Sequence, residues 1–507
     1  MTEATGILAL ATLLSRIAGL VRDVVVARIF GAGFATDAFF MAFTIPNLLR
    51  RFFAEGSLTA AFVPTFTDVL TRQGDEEARR VARICVTLLL LVMLGVVALG
   101  ILASPLVVKA IGYGFAGVAG KLSLTDLLNR IMFPYILMIS MVALYAGILN
   151  VRGHFLMPAL SPVILNLAMI GCSLVLAPQL QQPILALALG VLIGGMAQLI
   201  MQLPVLYRHG YDLRLDFSFH HPAVIKVARL MLPGVAGVAI YQINVLVTRL
   251  LASFLAEGSV SWLYYGQRLF EFPQGVFVVS LAQAVLPTMS RQQAAGDEEG
   301  FRQSLHFALT LIVLITVPAA VGLVLCSEAI YSLFFMSGAF SAADVTQSAK
   351  ALSWYAPGLL FVGVSRVVAP SFYALKDTRT PVVVSFWTLL VNAVFGYLLM
   401  QVMGHAGLAL ALTLSAVFNA GSLVWLLDKR LGNLRLAPLV RLLTRLLPGL
   451  IGLLLVVPLL LAQVEWLAEG TFIPRAVLLG AAVCAGGSVY GLCAWLFGVD
   501  EIRQALQ

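Results

Sequence analysis

Arginines standing inside long apolar runs are the residues of this sequence best suited to chemistry. Arg16, Arg22, Arg28, Arg50, Arg51, Arg130, Arg249, Arg268 and Arg366 all lie in such runs. An ionised side chain at the middle of a membrane-spanning helix costs about 2.5–3.5 kcal/mol to insert, so it faces a protein interior or a wet cavity. A guanidinium donates two parallel hydrogen bonds from one planar fork, which suits it to phosphate oxygens. The densest polar stretch is Ser15-Arg16-Ile-Ala-Gly19-Leu-Val-Arg22-Asp23. On a helix Arg16 and Asp23 are two turns apart and share a face, while Arg22 points about 100° away from Asp23. One reading is an internal ion pair that joins helices. The other is a cavity lined by cation, favoured by the excess of arginine over acid in the first two runs. Arg28, near the outer end of its run, is expected to snorkel to the interface.

Further along stand Asp37, Pro46-Asn47-Leu-Leu-Arg50-Arg51 and the glycine-flanked Glu55. Proline removes an N–H and kinks a helix, and freed backbone at membrane depth is tolerated beside a cavity; a simple packing kink is the alternative. Arg268 and Glu271 are three apart, within reach for a local salt bridge. Asn166 and Asn392 are expected to cap or to bond between helices. Arg249 and Arg366 have no acid within one turn, and their orientation is open. The chain has no Gly-x-x-x-x-Gly-Lys-Ser/Thr loop, so it is not expected to hydrolyse ATP itself. It also lacks Asp-x-Asp, His-x-x-x-His and Cys-x-x-Cys patterns, which argues against a glycosyltransferase or a metalloenzyme. No cofactor or metal is expected, and the five cysteines read as small apolar fillers.

These residues must be positioned by membrane helices. The hydrophobic fraction is 61%, the charged fraction 11% and the mean hydropathy +0.98, far from the roughly 25% charge of a soluble domain. Apolar runs long enough for about 30 Å of hydrocarbon recur at 5–30, 34–66, 83–110, 125–150, 158–177, 183–205, 223–252, 260–288, 303–326, 348–373, 381–402, 405–427, 441–462 and 474–496. The fold class expected is therefore an all-α polytopic membrane protein of about fourteen transmembrane helices. Loops after even-numbered spans hold most of the Lys and Arg, including Arg72, Arg79, Arg80, Arg83, Arg152 and Arg208. The opposite loops hold only Lys109, Lys121, Lys350 and Arg475. The positive-inside rule then puts both termini in the cytoplasm and accounts for the net charge of +8 without nucleic acid. An internal repeat is also legible. Pro64 matches Pro287, Pro134 matches Pro357 and Pro158 matches Pro381, each pair 223 apart, with Gly74-Asp-Glu-Glu answering Gly296-Asp-Glu-Glu. The repeat holds six spans, an even number, so its copies run parallel. The expected divisions are 1–222 for spans 1–6, 223–430 for spans 7–12 and 431–507 for two appended helices and a tail.

Ser15 to Asp23, Ala27-Arg-Ile-Phe-Gly-Ala-Gly33, Ala35-Thr-Asp-Ala-Phe-Phe40, Pro46 to Arg51, Phe53-Ala-Glu-Gly56 and Ala61-Phe-Val-Pro64 together resemble the MurJ (MviN) family of lipid II flippases. This family lies within the multidrug/oligosaccharidyl-lipid/polysaccharide exporter superfamily. The resemblance continues through Ser259-Val-Ser-Trp-Leu-Tyr-Tyr265 and Glu271-Phe-Pro273. It implies two six-helix lobes, with spans 13 and 14 forming a lipid-accessible groove. It also implies movement of undecaprenyl-diphosphate-linked muropeptide from the cytoplasmic to the periplasmic leaflet of the bacterial inner membrane by alternating access. Partners would be lipid II, membrane lipids and other cell-wall synthesis proteins. The positions implied for the anionic head group are Arg16, Arg22, Arg50 and Arg268. Asp23, Ala27, Asp37, Glu55, Asn166, Ser261 and Glu271 are expected to support the cavity or its gates. Gln267 stands where relatives carry an acid, and spans 7 and 11 lack the carboxylate of a sodium site, so no driving ion is expected and the membrane potential is the expected drive. Two rivals are a flippase for another polyprenyl-linked oligosaccharide and a non-transporting scaffold for envelope synthesis. A cationic-drug exporter would want acids where this chain has arginine.

Overall fold

The computed structural model describes residues 2–52, 58–212, 214–432, 434, 437–468 and 470–498, with side chains at all of these except 2–9, 52, 232–239 and 241. Among the described residues the regular structure is helical, with no strand. Contacts divide the chain into two units, Met1–Glu257 and Gly258–Gln507. The first holds α1 (Thr2–Phe30), α2 (Phe34–Phe52), α3 (Leu58–Gln73), α4 (Asp75–Ile111), α5 (Lys121–Met132), α6 (Tyr135–Val151), α7 (Leu156–Val175), α8 (Leu185–Arg208) and α9 (Pro222–Ser253). The second holds α10 (Ser259–Pro273), a π-helical turn at Gln274–Val278, α11 (Val279–Ala294), α12 (Glu298–Phe334), α13 (Ala342–Tyr355), α14 (Gly358–Ala374), α15 (Arg379–Met403), α16 (His405–Leu431), α17 (Ala437–Leu461) and α18 (Phe472–Leu496).

The sequence repeat reappears as equal elements. Helices α3 and α11 are both 16 residues long, α4 and α12 both 37, and α6 and α14 both 17. Pro134 and Pro357 stand immediately before α6 and α14, where each ends the run of the preceding helix because it offers no N–H to that ladder. The matched Gly-Asp-Glu-Glu segments start α4 and α12. Acids at 75–77 and 298–299 face the positive helix end, and the Asp297 carboxylate accepts from Gly300 N at 2.9 Å.

Ten described helical runs are long and apolar enough to cross a membrane, or eleven if α13 and α14, bent by 43°, form one span. The sequence-based count of about fourteen is larger. The difference falls on α1, α2 with α3, and α9, which lie outside that set although each matches an expected span. In the first unit α1 packs on α7, α2 on α5, and α8 on both α6 and α7. The second repeat begins with α9, yet α9 packs with the first unit, against α2, α3 and α4. In the second unit α12 is the spine. Phe301, Leu305 and Ile312 meet Val367, Val368 and Phe372 of α14. Further along the same helix Val313, Cys326 and Ala329 meet Leu446, Leu453 and Val457 of α17 and Tyr490 of α18. The other faces of α17 and α18 expose Leu455, Leu459, Ile473 and Val477 at 66–72%. A water-soluble surface does not carry so continuous an apolar face, whereas lipid-facing helices do.

Candidate functional site

Arg22 is buried, and its guanidinium is held by Asp23 and Asn166, with Met169 Sδ 4.0 Å from Nη1. Nε and Nη2 reach Asp23 Oδ1 at 3.0 and 2.6 Å, and Nη1 donates to Asn166 Oδ1 at 3.0 Å. Ideal rotation sets the Cβ atoms of neighbouring residues about 100° apart, but the long arginine stem folds back across that angle to its neighbour's carboxylate. The bond to Asn166 ties α1 to α7, and Asn166 Nδ2 lies 3.5 Å from Ser15 O of α1. Arg16, six residues before Arg22, is only partly buried. Among the described residues its guanidinium has neither hydrogen bond nor ion pair. One helix therefore carries a cation fixed by protein and, less than two turns away, one that is uncommitted. Arg28 is exposed in the last turn of α1, beside the negative helix end. Ala27 is fully buried, and its carbonyl accepts from the N–H of Gly31. With φ of +66°, Gly31 takes the left-handed turn that starts the passage into α2.

At the start of α2 Asp37 is 1% exposed and accepts from Lys121 Nζ at 2.9 Å. Lys121 is 2% exposed, and its ammonium stands 4.4 Å from the ring centre of Phe115 and 5.8 Å from that of Phe34. Sequence reasoning left Lys121 in an outer loop. The signal that points to it is a lone acid at the outer end of span 2 and a scarcity of lysine on that side. At the other end of α2, Arg50 Nε donates to Asn47 Oδ1 at 3.1 Å, with Pro46 buried between that end and the Asp37 end. Glu55 lies outside the described residues.

In the second unit Arg268 Nη1 meets Glu271 Oε2 at 3.4 Å, Gln267 Nε2 donates to Glu271 Oε1 at 3.2 Å, and the Arg268 guanidinium lies 5.8 Å from the ring centre of Tyr264. Both charged side chains remain about one-third exposed. Ser261, two turns before Arg268, is fully buried. The helix runs past Pro273 into the π-turn, an irregularity that often marks functional positions. Asn392 is buried in α15, Arg249 is half-buried in α9, and Arg366 is exposed on α14. Arg130 is exposed on α5 and paired with Asp126 at 2.9 Å. Arg475 holds the connection between α17 and α18 closed, because its Nη2 donates to the carbonyls of Glu465 and Ala468 at 2.8 and 2.7 Å.

The loops at the Lys- and Arg-rich side of the first unit form a network of their own. Arg152 bonds Tyr211 Oη at 2.9 Å and pairs with Asp75, while His221 meets Glu77 at 2.8 Å. Hydrogen bonds from the Ser218 side chain and amide hold Asp216 below the usual carboxylate range, and burial pushes the Tyr211 phenol up. Among the described residues no group of three or more His, Cys, Asp or Glu is placed to hold a metal ion.

The family model described as "Lipid II flippase MurJ" matches residues 26–482. A probable lipid II flippase MurJ of Vibrio cholerae is 40% identical over 417 residues, covering 80% of this chain and 79% of that protein. The lipid II flippase MurJ of Burkholderia cenocepacia is 36% identical, covering 83% and 82%. A solved structure of lipid II flippase MurJ in an inward closed conformation superposes with a TM-score of 0.79 at 27% identity, covering 98% of this chain and 99% of that one. An inward-facing MATE-family multidrug transporter shares the fold at a TM-score of 0.69 and 15% identity, covering 83% and 95%. A multi-pass bacterial inner-membrane protein with these helices and this match belongs to the MurJ family of lipid II flippases.

Proposed function

We propose that this chain carries lipid II, the undecaprenyl-diphosphate-linked peptidoglycan precursor, from the cytoplasmic to the periplasmic leaflet by alternating access. The observation that carries the reading is Arg16. A half-buried guanidinium with no polar partner among the described residues, less than two turns from the fixed Arg22, asks for an external oxyanion. In this mechanism Arg16 engages the diphosphate. Arg22 adds charge to the same helix while Asp23 and Asn166 hold its orientation. Arg50 and Arg268 supply further anionic contacts, and Asp37, Glu55, Ser261 and Glu271 support the cavity and its gates. Ala27, fully buried, keeps α1 close-packed at the outer end. The chain breaks no covalent bond in this cycle, and both termini lie in the cytoplasm, as the Lys and Arg bias supports. Outward movement of a polyanion from a negative interior is favoured by about 2.3 kcal/mol per charge per 100 mV. The membrane potential alone therefore supplies a drive without an ion site.

The test is replacement in cells depleted of their own flippase. Arg16→Ala should abolish growth and leave lipid II accumulating on the cytoplasmic side, whereas Arg16→Lys should retain part of the function because the charge remains. Normal growth supported by Arg16→Ala/Arg22→Ala at wild-type abundance would sink the assignment. Dissipating the potential with an uncoupler while ATP is maintained should stop export.

A further inference from the structure

Arg366 lies eight residues from each end of α14, so roughly 12 Å of helix separates it from either terminus. The helix is the second half of a bent apolar pair, α13 with α14. Its buried face is set by Val367 and Val368, 3% and 1% exposed, in the core with Phe301 and Leu305. A turn of about 100° per residue carries Arg366 off that face, and it is exposed. Tyr373, two turns further on the same side, is 50% exposed. Among the described residues the Arg366 guanidinium has no hydrogen bond or ion pair.

A charge so placed faces either hydrocarbon or water. Hydrocarbon carries the insertion cost unless the side chain snorkels to an interface. Helical side chains lean toward the helix N-terminus, which here is the bend before Gly358, inside the span. Leaning therefore takes the guanidinium deeper rather than out. A water-filled cavity is the placement without that cost, and a lone cation in such a cavity draws an oxyanion. We infer that Arg366 is a second-unit contact for an oxyanion of the transported head group, a diphosphate or a peptide carboxylate. The inference rests on the flippase reading above.

Two measurements test it. Arg366→Cys, in a chain whose five native cysteines are replaced by serine or alanine, should react with a charged, water-soluble methanethiosulfonate, and added lipid II should slow the reaction. No reaction, in folded protein that labels at an introduced loop cysteine, overturns the cavity placement whatever the chain transports. In purified protein in nanodiscs, Arg366→Gln should weaken lipid II binding about 10-fold, and Arg366→Lys should recover part of it, with melting temperature unchanged. Weakened binding of undecaprenyl diphosphate as well assigns the diphosphate; weakened binding of lipid II alone assigns the peptide carboxylates. Equal binding by wild type and Arg366→Gln overturns the proposal. Failure of the wild type to bind lipid II at all would instead count against the flippase reading, and the labelling arm separates the two failures.

Discussion

In the first unit Asp37 and Lys121 meet at 2.9 Å with 1% and 2% of their side chains exposed; in the second, Arg268 and Glu271 meet at 3.4 Å with 37% and 33% exposed. The two units hold helices of matched length, 37 residues in α4 and α12 and 17 in α6 and α14. The backbone is thus repeated within the chain while the treatment of charge is not. The first unit commits most of its interior charge to joining helices, α2 to α5 through Asp37–Lys121 and α1 to α7 through Arg22–Asn166, leaving Arg16 over. The second leaves Arg268 about one-third exposed beside Glu271 and Arg366 exposed on α14. Helix lengths are matched between the units, while the burial of charge differs.

The sharpest way to break this comparison is to remove one partner from each pair. A buried ion left alone destabilises by about 3–5 kcal/mol, whereas a half-exposed pair contributes about 0–1 kcal/mol. Lys121→Ala should therefore lower the unfolding free energy by about 3–5 kcal/mol, and Arg268→Ala by less than about 1 kcal/mol. Denaturant unfolding in mild detergent would measure both. Joint replacement, Asp37→Leu with Lys121→Met, should recover most of the loss, because an apolar pair of similar volume avoids the desolvation of two ions. Equal costs for Lys121→Ala and Arg268→Ala would erase the distinction between the units.

A smaller effect is expected at the α1–α7 junction. Asn166→Ala removes a hydrogen bond to a charged group, about 1.5–3 kcal/mol, and leaves Arg22 with Asp23. Its counterpart Asn392 is also buried, 2% exposed, but in α15. If Asn392→Ala costs as much as Asn166→Ala, the polar locking is common to both repeats rather than concentrated in the first.

Much of this was legible in the sequence, and the reason differs by feature. The prolines at 134 and 357 mark real helix breaks because a missing N–H is a local property that survives folding. The acids that open α4 and α12 are readable for the same reason. Arg268 and Glu271 were paired correctly from spacing alone, since three residues on one helix fix their distance. The partner of Asp37 was not readable, because Lys121 is 84 positions away and only tertiary packing brings α5 against α2. Arg22 misled the rotational argument: a side chain with four flexible bonds can reach a neighbour that its Cβ does not face. Arg475, grouped with the outer loops, proved buried at 7% because the α17–α18 connection folds its carbonyls around it. Helical periodicity reports direction, and long polar side chains are free to depart from it.

The weakest expected contrast is acid sensitivity in the loops, and it tests whether the difference between the units extends beyond the spans. Asp377, after α14, accepts from Thr380 N and Oγ1 at 3.0 and 2.7 Å and from Arg379 N at 3.1 Å, and it pairs with Arg430. The Thr380 bonds chiefly, with Arg430 adding to them, hold its carboxyl below the usual range. Asp216 in the first unit is lowered in the same direction, through Ser218. A carboxylate depressed in the folded state stabilises fully above its unfolded value of about 3.9 and loses that contribution as pH falls through the folded one. Wild-type melting temperature should therefore decline as pH drops from about 5 toward 3, and Asp377→Asn should decline less steeply over the same window. Asp216→Asn should do the same. An Asp377→Asn profile parallel to wild type would show that Arg430 and Thr380 do not anchor the loop after α14 to α16 through this carboxylate.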